Sequence, residues 1–305
     1  MLEVADLRYA YPGREDILRG VSFSLAKGRR LAVMGENGSG KTTLARLLCG
    51  LIAPTGGSVT VDGIDTRDAA TAYEVRRRVG LVFQDPDDQL VETTVEREIA
   101  FGPRHLGLGL DEVGRAVEEA ISLFHLGSLR KRPCHLLSAG EKQTVAIASV
   151  FAMRPEYVVL DESTSLLDAR ARLEVAGAVE RLLGETGAGL VFISMRLEDA
   201  WMCDEAIFLR DGAVGFRGGR ADLLGYLVTE GLPLAGTALL LAELEKGAPG
   251  LAAEIAGDRE LSAEAIASSL LAHRGGSRGG DAASGQAGVR DADEAPGTSG
   301  GAACR

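Results

Sequence analysis

The sequence is short of cysteine, aromatic side chains and positive charge, and each shortage argues against a class of protein. Four of its 305 residues are cysteines, with no CxxC or CxxH spacing among them, and 5% are aromatic. This pattern suggests neither a disulfide framework nor a zinc site, and it is typical of reduced thiols inside the cell. The formal net charge is −11. A general nucleic-acid binder needs basic patches to neutralise phosphates, so we expect no nucleic-acid partner.

An apolar run long enough to cross a bilayer is also lacking, since a spanning helix needs about 20 such residues. The best candidate, from Ala238 to Leu244, is short and is interrupted by Glu243. We therefore expect the chain to be soluble by itself, although it could still dock on a membrane protein.

Short β-like runs recur along the first two thirds of the chain, and their patterns differ. Two later runs are apolar on both faces, as in central parallel strands that helices cover. Early runs alternate apolar and polar residues between glycine turns, as in an antiparallel sheet. The predicted strands are 2–9, 21–25, 30–34, 58–61, 79–83, 157–161, 190–194 and 206–209. These patterns predict an α/β fold with a parallel core and an antiparallel β subdomain.

Helical periodicity dominates the middle of the chain, where Glu112–Leu126 carries apolar side chains along one stripe. We predict a helical subdomain at about 85–153, inserted into a first domain that spans 1–220. Leucine and alanine at helical spacing then predict a helical appendage at 221–272. The segment 273–305 has almost no bulky apolar residue and cannot offset the entropy of ordering, so we predict a disordered tail.

A glycine-rich loop follows the third predicted strand and opens a helix predicted at 43–49. Its sequence, GENGSGKT, fits the phosphate-loop pattern G-x-x-x-x-G-K-[ST]. Glycines let backbone N–H groups approach phosphate oxygens, and the helix N-terminus adds partial positive charge. We expect Lys41 to reach the β- and γ-phosphates of a nucleotide and the Thr42 hydroxyl to coordinate Mg²⁺. The predicted binding residues here are Gly35, Asn37, Gly38, Ser39, Gly40, Lys41, Thr42 and Thr43.

Two acids, Asp161 and Glu162, end the apolar run at 157–161. The carboxyl ends of parallel strands share one sheet edge, where ligands bind in open α/β folds. We expect Asp161 to hold Mg²⁺ and Glu162 to polarise an attacking water. Together with the loop, these acids predict a P-loop NTPase core.

These motifs, with LSAGE at 137–141, resemble the ATP-binding cassette (ABC) family, whose signature is usually LSGGQ. The resemblance covers roughly residues 2–216. It implies a nucleotide-binding domain that takes ATP and Mg²⁺ and hydrolyses ATP. The residues implied in catalysis are Lys41, Gln84 and Glu162, and those in the metal site are Thr42, Gln84 and Asp161. The resemblance adds Tyr11, stacked on adenine, Ser138 and Gly140 of the signature, and Asp168 of the D-loop to the nucleotide site.

A narrower resemblance lies within it. The segments 79–108 and 154–168 are similar to the ATPases of energy-coupling-factor and cobalt-type importers, although Ser163 stands where most cassettes have proline. The similarity implies import of a vitamin or a metal ion. It also implies a second ATPase subunit, a transmembrane scaffold and a substrate-binding membrane subunit, with this chain peripheral at the cytoplasmic face. Whether the second ATPase is an identical copy stays open.

The signature also fits a capping box, in which Ser138 caps a helix and Glu141 reaches back to it. This interpretation is compatible with the functional one. In the family, the signature of one subunit faces the γ-phosphate held by the other, so the Ser138 hydroxyl and the helix N-terminus supply donors. Ala139 replaces a more usual glycine. Its methyl group leaves less room for the γ-phosphate to approach the backbone, but it removes no hydrogen-bond donor.

Met195 stands where the resemblance implies a switch histidine after the strand at 190–194. Imidazole there hydrogen-bonds the γ-phosphate and orients the glutamate and the water. A thioether is at best a weak acceptor. We expect either a site that binds ATP well and hydrolyses it poorly, or one that positions water through Glu162 and Gln84 instead.

Three functions follow from these observations. The chain is the ATPase subunit of a membrane importer, a nearly inert nucleotide-binding partner of an active paralogue, or a soluble cassette ATPase in DNA repair or translation. Translation-type cassettes usually occur twice per chain and repair types carry long coiled coils, and neither feature is present. The first function is the leading hypothesis.

Overall fold

The computed structural model describes residues 1–230, and within them the predicted α/β fold is confirmed. Ten strands form two sheets. The strands are β1 (Leu2–Ala10), β2 (Asp16–Leu25), β3 (Arg30–Gly35), β4 (Gly56–Val61), β5 (Ile64–Asp65), β6 (Val79–Val82), β7 (Tyr157–Asp161), β8 (Gly189–Ile193), β9 (Glu205–Arg210) and β10 (Ala213–Gly218).

The larger sheet has six strands in the order β10-β9-β3-β8-β7-β6. All neighbours pair in parallel except β10, which is antiparallel to β9. The smaller sheet is antiparallel, in the order β2-β1-β4-β5. The predicted parallel core and antiparallel subdomain are therefore both present.

Eight α-helices surround the sheets within the described part of the chain. They are α1 (Lys41–Leu48), α2 (Ala72–Arg78), α3 (Val95–His105), α4 (Leu110–Leu123), α5 (Ala139–Ala152), α6 (Ala169–Thr186), α7 (Leu197–Trp201) and α8 (Arg220–Thr229). Helix α3 packs against both α4 and α5. Residues 84–156 are all described, and none of them lies in a strand that belongs to either sheet.

Some boundaries differ from the prediction. Strand β2 begins at Asp16 rather than at residue 21, and α1 begins at Lys41 rather than at Thr43. Strand β10 was missed altogether, because its residues alternate weakly in exposure. Its signal was the Asp211-Gly212 pair, whose positive φ angles of 49° and 78° make the tight turn between β9 and β10.

The apolar character of the central strands follows from two cores, one on each face of the larger sheet. Val158 and Leu160 of β7 join the core beneath α3–α7, whereas Val159 joins the core shared with α1 and the smaller sheet. Strands buried on both faces leave no room for polar side chains along their length. Polar groups consequently gather where the strands end.

Helix α8 occupies the first part of the predicted appendage. The rest of that appendage and the predicted tail at 273–305 lie outside the described residues. Within residues 1–230 no helix combines the length and the apolarity needed to span a bilayer.

Candidate active site

The phosphate loop connects β3 to α1, and two of its glycines have backbone conformations that L side chains rarely adopt. The φ angle is 152° at Gly35 and 98° at Gly40. A Cβ at Gly35 would lie 2.4 Å from the Leu209 carbonyl oxygen, and one at Gly40 would lie 2.7 Å from Leu18 Cδ2. The loop therefore packs against β9 and β2 too closely for any other residue.

Lys41 opens α1 and folds back over the loop. Its Nζ donates hydrogen bonds to the carbonyl oxygens of Gly35 at 2.8 Å and Glu36 at 2.9 Å. Burial lowers the pKa of Lys41, whereas the nearby carboxylates of Glu162 and Asp161 oppose that shift. The ammonium lies 4.0 Å from Glu162 Oε1. The cation is thus held between the loop and the acids of β7.

Asp161 ends β7 and is only 2% exposed. Burial raises the pKa of its carboxyl, a hydrogen bond from the Thr42 side chain lowers it, and the neighbouring Glu162 raises it again. The Oδ1 atom is buried and has no hydrogen-bond partner among the described residues. A partnerless carboxylate oxygen beside a threonine hydroxyl suits a hard divalent cation, which prefers oxygen ligands.

Glu162 follows β7 in a strained backbone conformation, with φ of 47°. Such a conformation costs about 1–3 kcal/mol in a non-glycine residue and persists only where neighbours enforce it. Its N–H donates to the Ile193 carbonyl at 2.9 Å, which ties it to the end of β8. Its Oε2 accepts a hydrogen bond from Gln84 Nε2 at 3.3 Å. The structure therefore brings Lys41, Glu162 and Gln84 close together.

Two glutamines that the sequence analysis missed hold the backbone of Phe83, directly before Gln84. Gln89 Oε1 accepts from the Phe83 N–H at 3.0 Å, and Gln143 Nε2 donates to the Phe83 carbonyl at 3.2 Å. Gln89 also donates to the Ala146 carbonyl at 2.9 Å. Because Gln143 and Ala146 lie on α5, the segment before Gln84 is bonded to that helix.

The predicted capping box at the start of α5 is confirmed. The Ser138 N–H donates to Glu141 Oε2 at 2.7 Å, and the Glu141 N–H donates to Ser138 Oγ at 3.3 Å. The bond from the Ser138 backbone holds the pKa of Glu141 below its ordinary value. Arg132 lies 3.5 Å from the same carboxylate.

The signature and the D-loop lie apart from the phosphate loop. Among residues 1–230, no hydrogen bond or ion pair joins Ser138, Gly140 or Asp168 to the loop. Asp168 instead caps α6 by accepting from the Ala171 N–H at 2.8 Å. A Cβ at Gly140 would lie 3.5 Å from the Leu166 carbonyl oxygen, so signature and D-loop pack against each other.

The remaining predicted residues sit around the loop. Tyr11 is half-buried, with its ring edge-on to that of Tyr9 at a centroid distance of 4.9 Å. Asn37 is exposed at the tip of the loop. Ser39 is buried, and its Oγ has no hydrogen-bond partner among the described residues, whereas Thr43 is buried in the first turn of α1.

Met195 lies just beyond β8 and is 46% exposed. The three histidines within residues 1–230 are elsewhere: His105 is in α3, His125 follows α4, and His135 precedes α5. The described part of the chain therefore places no imidazole at this sheet edge.

The order of the motifs along the chain distinguishes this site from other phosphate-loop sites. The helix that carries the signature, α5, lies between Gln84 and the acids at the end of β7. A fold with that arrangement is an ATP-binding cassette. The chain belongs to the ABC transporter family, whose profile matches residues 18–165.

Curated relatives agree with this assignment. The "Cobalt import ATP-binding protein CbiO" of Syntrophus aciditrophicus is 42% identical over 253 residues, which cover 81% of this chain and 90% of that protein. The "Energy-coupling factor transporter ATP-binding protein EcfA1" of Symbiobacterium thermophilum is 44% identical over 215 residues, covering 68% of this chain and 75% of that protein. The predicted cassette ATPase of the energy-coupling-factor type is confirmed.

Solved structures show the same architecture. The cbiO1 subunit of Clostridium perfringens, part of the ABC transporter complex cbiONQ, matches with a TM-score of 0.68 and 26% identity, covering 83% of this chain and 98% of that chain. The cassette MJ0796, in a dimeric post-hydrolysis state bound to ADP and Pi, matches with a TM-score of 0.67 and 25% identity, covering 72% of this chain and 99% of that chain.

Proposed function

We propose that this chain hydrolyses Mg²⁺-bound ATP as one of two paired cassettes and thereby drives import of a vitamin or a metal ion. It acts as a peripheral subunit at the cytoplasmic face of a membrane. The observation that carries the proposal is the convergence of Lys41, Asp161 and Glu162 at one sheet edge, with Lys41 Nζ 4.0 Å from the Glu162 carboxylate. A buried cation beside two acids is an arrangement for holding phosphates and water.

Three side chains have different roles in the hydrolysis of ATP. Lys41 binds the β- and γ-phosphate oxygens and stabilises the charge that develops as the terminal phosphate leaves. Glu162 accepts a proton from the attacking water, a role that typically contributes about 10²–10⁴-fold in rate. Gln84, which already hydrogen-bonds Glu162, orients the carboxylate and the water.

When bound, Mg²⁺ would neutralise charge on the phosphates. The Thr42 hydroxyl, Asp161 and Gln84 would hold it. The partnerless Oδ1 of Asp161, next to the Thr42 side chain, supports this assignment. Tyr11 would stack on the adenine, and the backbone from Gly35 to Thr43 would line the phosphates.

A second cassette completes each site. Because Ser138, Gly140 and Asp168 lie apart from the phosphate loop of their own chain, they serve the nucleotide held by the partner. Exposed apolar side chains beside these residues, Leu136 and Leu166, support a protein contact on this face.

A transmembrane scaffold docks, in this proposal, on the cleft between α2 and the α3–α4 turn. The cleft has a volume of about 550 Å³ and is lined by Leu106, Leu108 and several charged residues. Tyr73 and Leu110 are exposed nearby. The substrate-binding membrane subunit joins the scaffold, so the cargo is chosen outside this chain.

The test is to co-express the chain with a candidate scaffold and to assay both phosphate release and membrane recovery. We expect the chain in the membrane fraction, with Mg²⁺-dependent phosphate release that Glu162→Gln removes. Absence from membranes that contain the scaffold would contradict the importer function. Phosphate release that needs no Mg²⁺ would contradict the proposed site.

Met195 favours a second candidate, in which this chain is a catalytically weak partner that supports an active paralogue. The exposed thioether offers no proton to a γ-phosphate. Turnover of the isolated chain separates the two candidates.

A further inference from the structure

A buried carboxylate, Asp199, lies behind the sheet edge that carries Glu162. It belongs to the short helix α7 and is 4% exposed. One of its oxygens, Oδ2, accepts two hydrogen bonds, from Thr164 Oγ1 at 3.0 Å and from Ser194 Oγ at 2.6 Å. Burial raises the pKa of Asp199, and the two hydroxyl donors oppose that rise.

The two hydroxyls come from different loops. Thr164 lies two residues after Glu162, at the end of β7, and Ser194 lies directly before Met195, at the end of β8. Asp199 therefore bridges the loop that holds the proposed base and the turn that contains Met195.

Backbone bonds extend the bridge on both sides. Ser194 Oγ also accepts a hydrogen bond from the Arg196 N–H at 3.0 Å, so the Ser194 side chain bonds across the turn that contains Met195. The Ser194 N–H donates to the Val33 carbonyl at 3.2 Å, which fixes the turn to β3. On the other side, the Glu162 N–H donates to Ile193.

The cost of losing its buried hydrogen bonds favours a positioning role for Asp199. A buried hydroxyl that loses its acceptor pays its full desolvation penalty, so each loop is held firmly while Asp199 is present. Glu162 needs such support because its φ of 47° is sparsely populated and persists only where neighbours enforce it. A displacement of the reacting groups by about 1 Å costs on the order of 10²-fold in rate.

We propose that Asp199 is a positioning residue, which holds the Glu162 loop and the Met195 turn in register through the hydroxyls of Thr164 and Ser194. The inference rests on the proposed catalytic role of Glu162. Asp199 acts through these two hydroxyls. This bridge explains how a sheet edge where the described residues place no histidine keeps a defined geometry.

The test compares variants that remove a hydroxyl with one that keeps it. Thr164→Val preserves shape and loses the donor, whereas Thr164→Ser preserves the donor and loses a methyl group. Ser194→Ala removes the second donor, and Asp199→Asn replaces one oxygen with an N–H donor. Ser149→Ala is the matched control, because Ser149 is also buried and its hydroxyl, among residues 1–230, bonds only the Ala146 carbonyl of its own helix.

Two measurements are made on the full chain, at a temperature where circular dichroism shows every variant folded. One is steady-state release of phosphate from γ-³²P-labelled ATP over a range of ATP concentrations, which detects slow rates and yields kcat and KM separately. The other is amide hydrogen exchange in residues 194–197, which needs no activity.

We expect Thr164→Val, Ser194→Ala and Asp199→Asn to lower kcat by about 10- to 100-fold with little change in KM. Thr164→Ser and Ser149→Ala should stay near the parent. Exchange at 194–197 should rise in Thr164→Val, although the substitution lies in the other loop, and not in Thr164→Ser.

The inference is overturned if Thr164→Ser is as slow as Thr164→Val, since the methyl group would then matter rather than the bond. Unchanged exchange at 194–197 in Thr164→Val overturns it as well. Glu162→Gln, measured in parallel, separates the two proposals. If that variant releases phosphate normally, the proposed role of Glu162 is wrong. The hydrogen-exchange data then decide by themselves whether Asp199 holds the two loops together.

Discussion

The side-chain amide of Gln84 donates a hydrogen bond to the Glu162 carboxylate at 3.3 Å, between the ends of β6 and β7. Replacing Gln84 by alanine should lower kcat by about 10- to 100-fold, because Glu162 loses an orienting partner. Gln84→Glu should be slower still, since a second carboxylate would repel Glu162. Steady-state kinetics with purified protein measure both. An alanine variant slower than the glutamate variant would show that the repulsion is unimportant.

Lys41 carries the next prediction. Lys41→Ala should weaken nucleotide binding by about 10- to 100-fold, the usual range for a lost bond to a charged group. Titration with a fluorescent ATP analogue measures the affinity. Lys27→Ala is the control, because that lysine pairs with Glu156 and Asp62 away from the loop. Equal affinity in both variants would rule out the assigned phosphate loop.

Met195→His should raise the turnover of this chain by about 10²–10³-fold, if one missing donor is the only defect. Met195→Leu is the matched control, since leucine has similar volume and no donor, and it should resemble the parent. Phosphate release from the isolated chain distinguishes them. A histidine variant no faster than the leucine variant would mean that the water is positioned by other groups.

If this chain pairs with a paralogue that has a histidine where this chain has Met195, the two ATP sites of the heterodimer would be unequal. Glu162→Gln should then barely change the turnover of the heterodimer, because the site built on this chain's Lys41 and Glu162 is already slow. Ser138→Arg should remove most turnover, because it blocks the signature that serves the faster site. Phosphate release from purified heterodimers of each variant is the measurement. Equal losses in both variants would show that this chain's site is fully catalytic.

Glu141 gives a prediction about pH. Its pKa lies below the ordinary value of 4.5 because the Ser138 N–H bonds the carboxylate. The ionised form therefore stabilises the fold, fully above the unfolded pKa and progressively less as pH falls through the folded pKa. Glu141→Gln keeps an acceptor and loses the titration, so its stability difference from the parent should shrink in acid.

Urea unfolding at pH values from 7 down to 3 measures that difference. Glu15→Gln, at a fully exposed position, is the control and should unfold like the parent throughout. A stability difference between Glu141→Gln and the parent that stays constant across this range would contradict the capping role of the ionised carboxylate.

Local patterns predicted much of the site. The loop around Lys41, the acids at the end of β7 and the Ser138–Glu141 capping box each depend on neighbours in sequence, so their spacing reveals them. Strand β10 was missed although its turn carried a readable signal in Asp211-Gly212.

Other features depend on contacts between distant segments and leave no local pattern. Asp199 reads as one polar residue of an amphipathic helix, and only the fold shows that it accepts bonds from Thr164 and Ser194. The glutamines around Phe83 are hidden for the same reason. The positive φ of Glu162 is likewise set by its surroundings rather than by its residue type.

Lys41 is both the end of the phosphate loop and the first residue of α1. Each residue of an α-helix turns the next side chain by about 100°. A residue inserted between Gly35 and Lys41 must therefore be accommodated in one of two ways. It either lengthens the loop, whose glycines pack closely against β9 and β2, or shifts α1, which would turn the buried Leu44 and Leu48 away from the core. The number of residues in this segment is therefore fixed by the fold. The exposed turn at 107–109, between α3 and α4, can lengthen at little cost in folding stability, although it borders the cleft proposed for the scaffold.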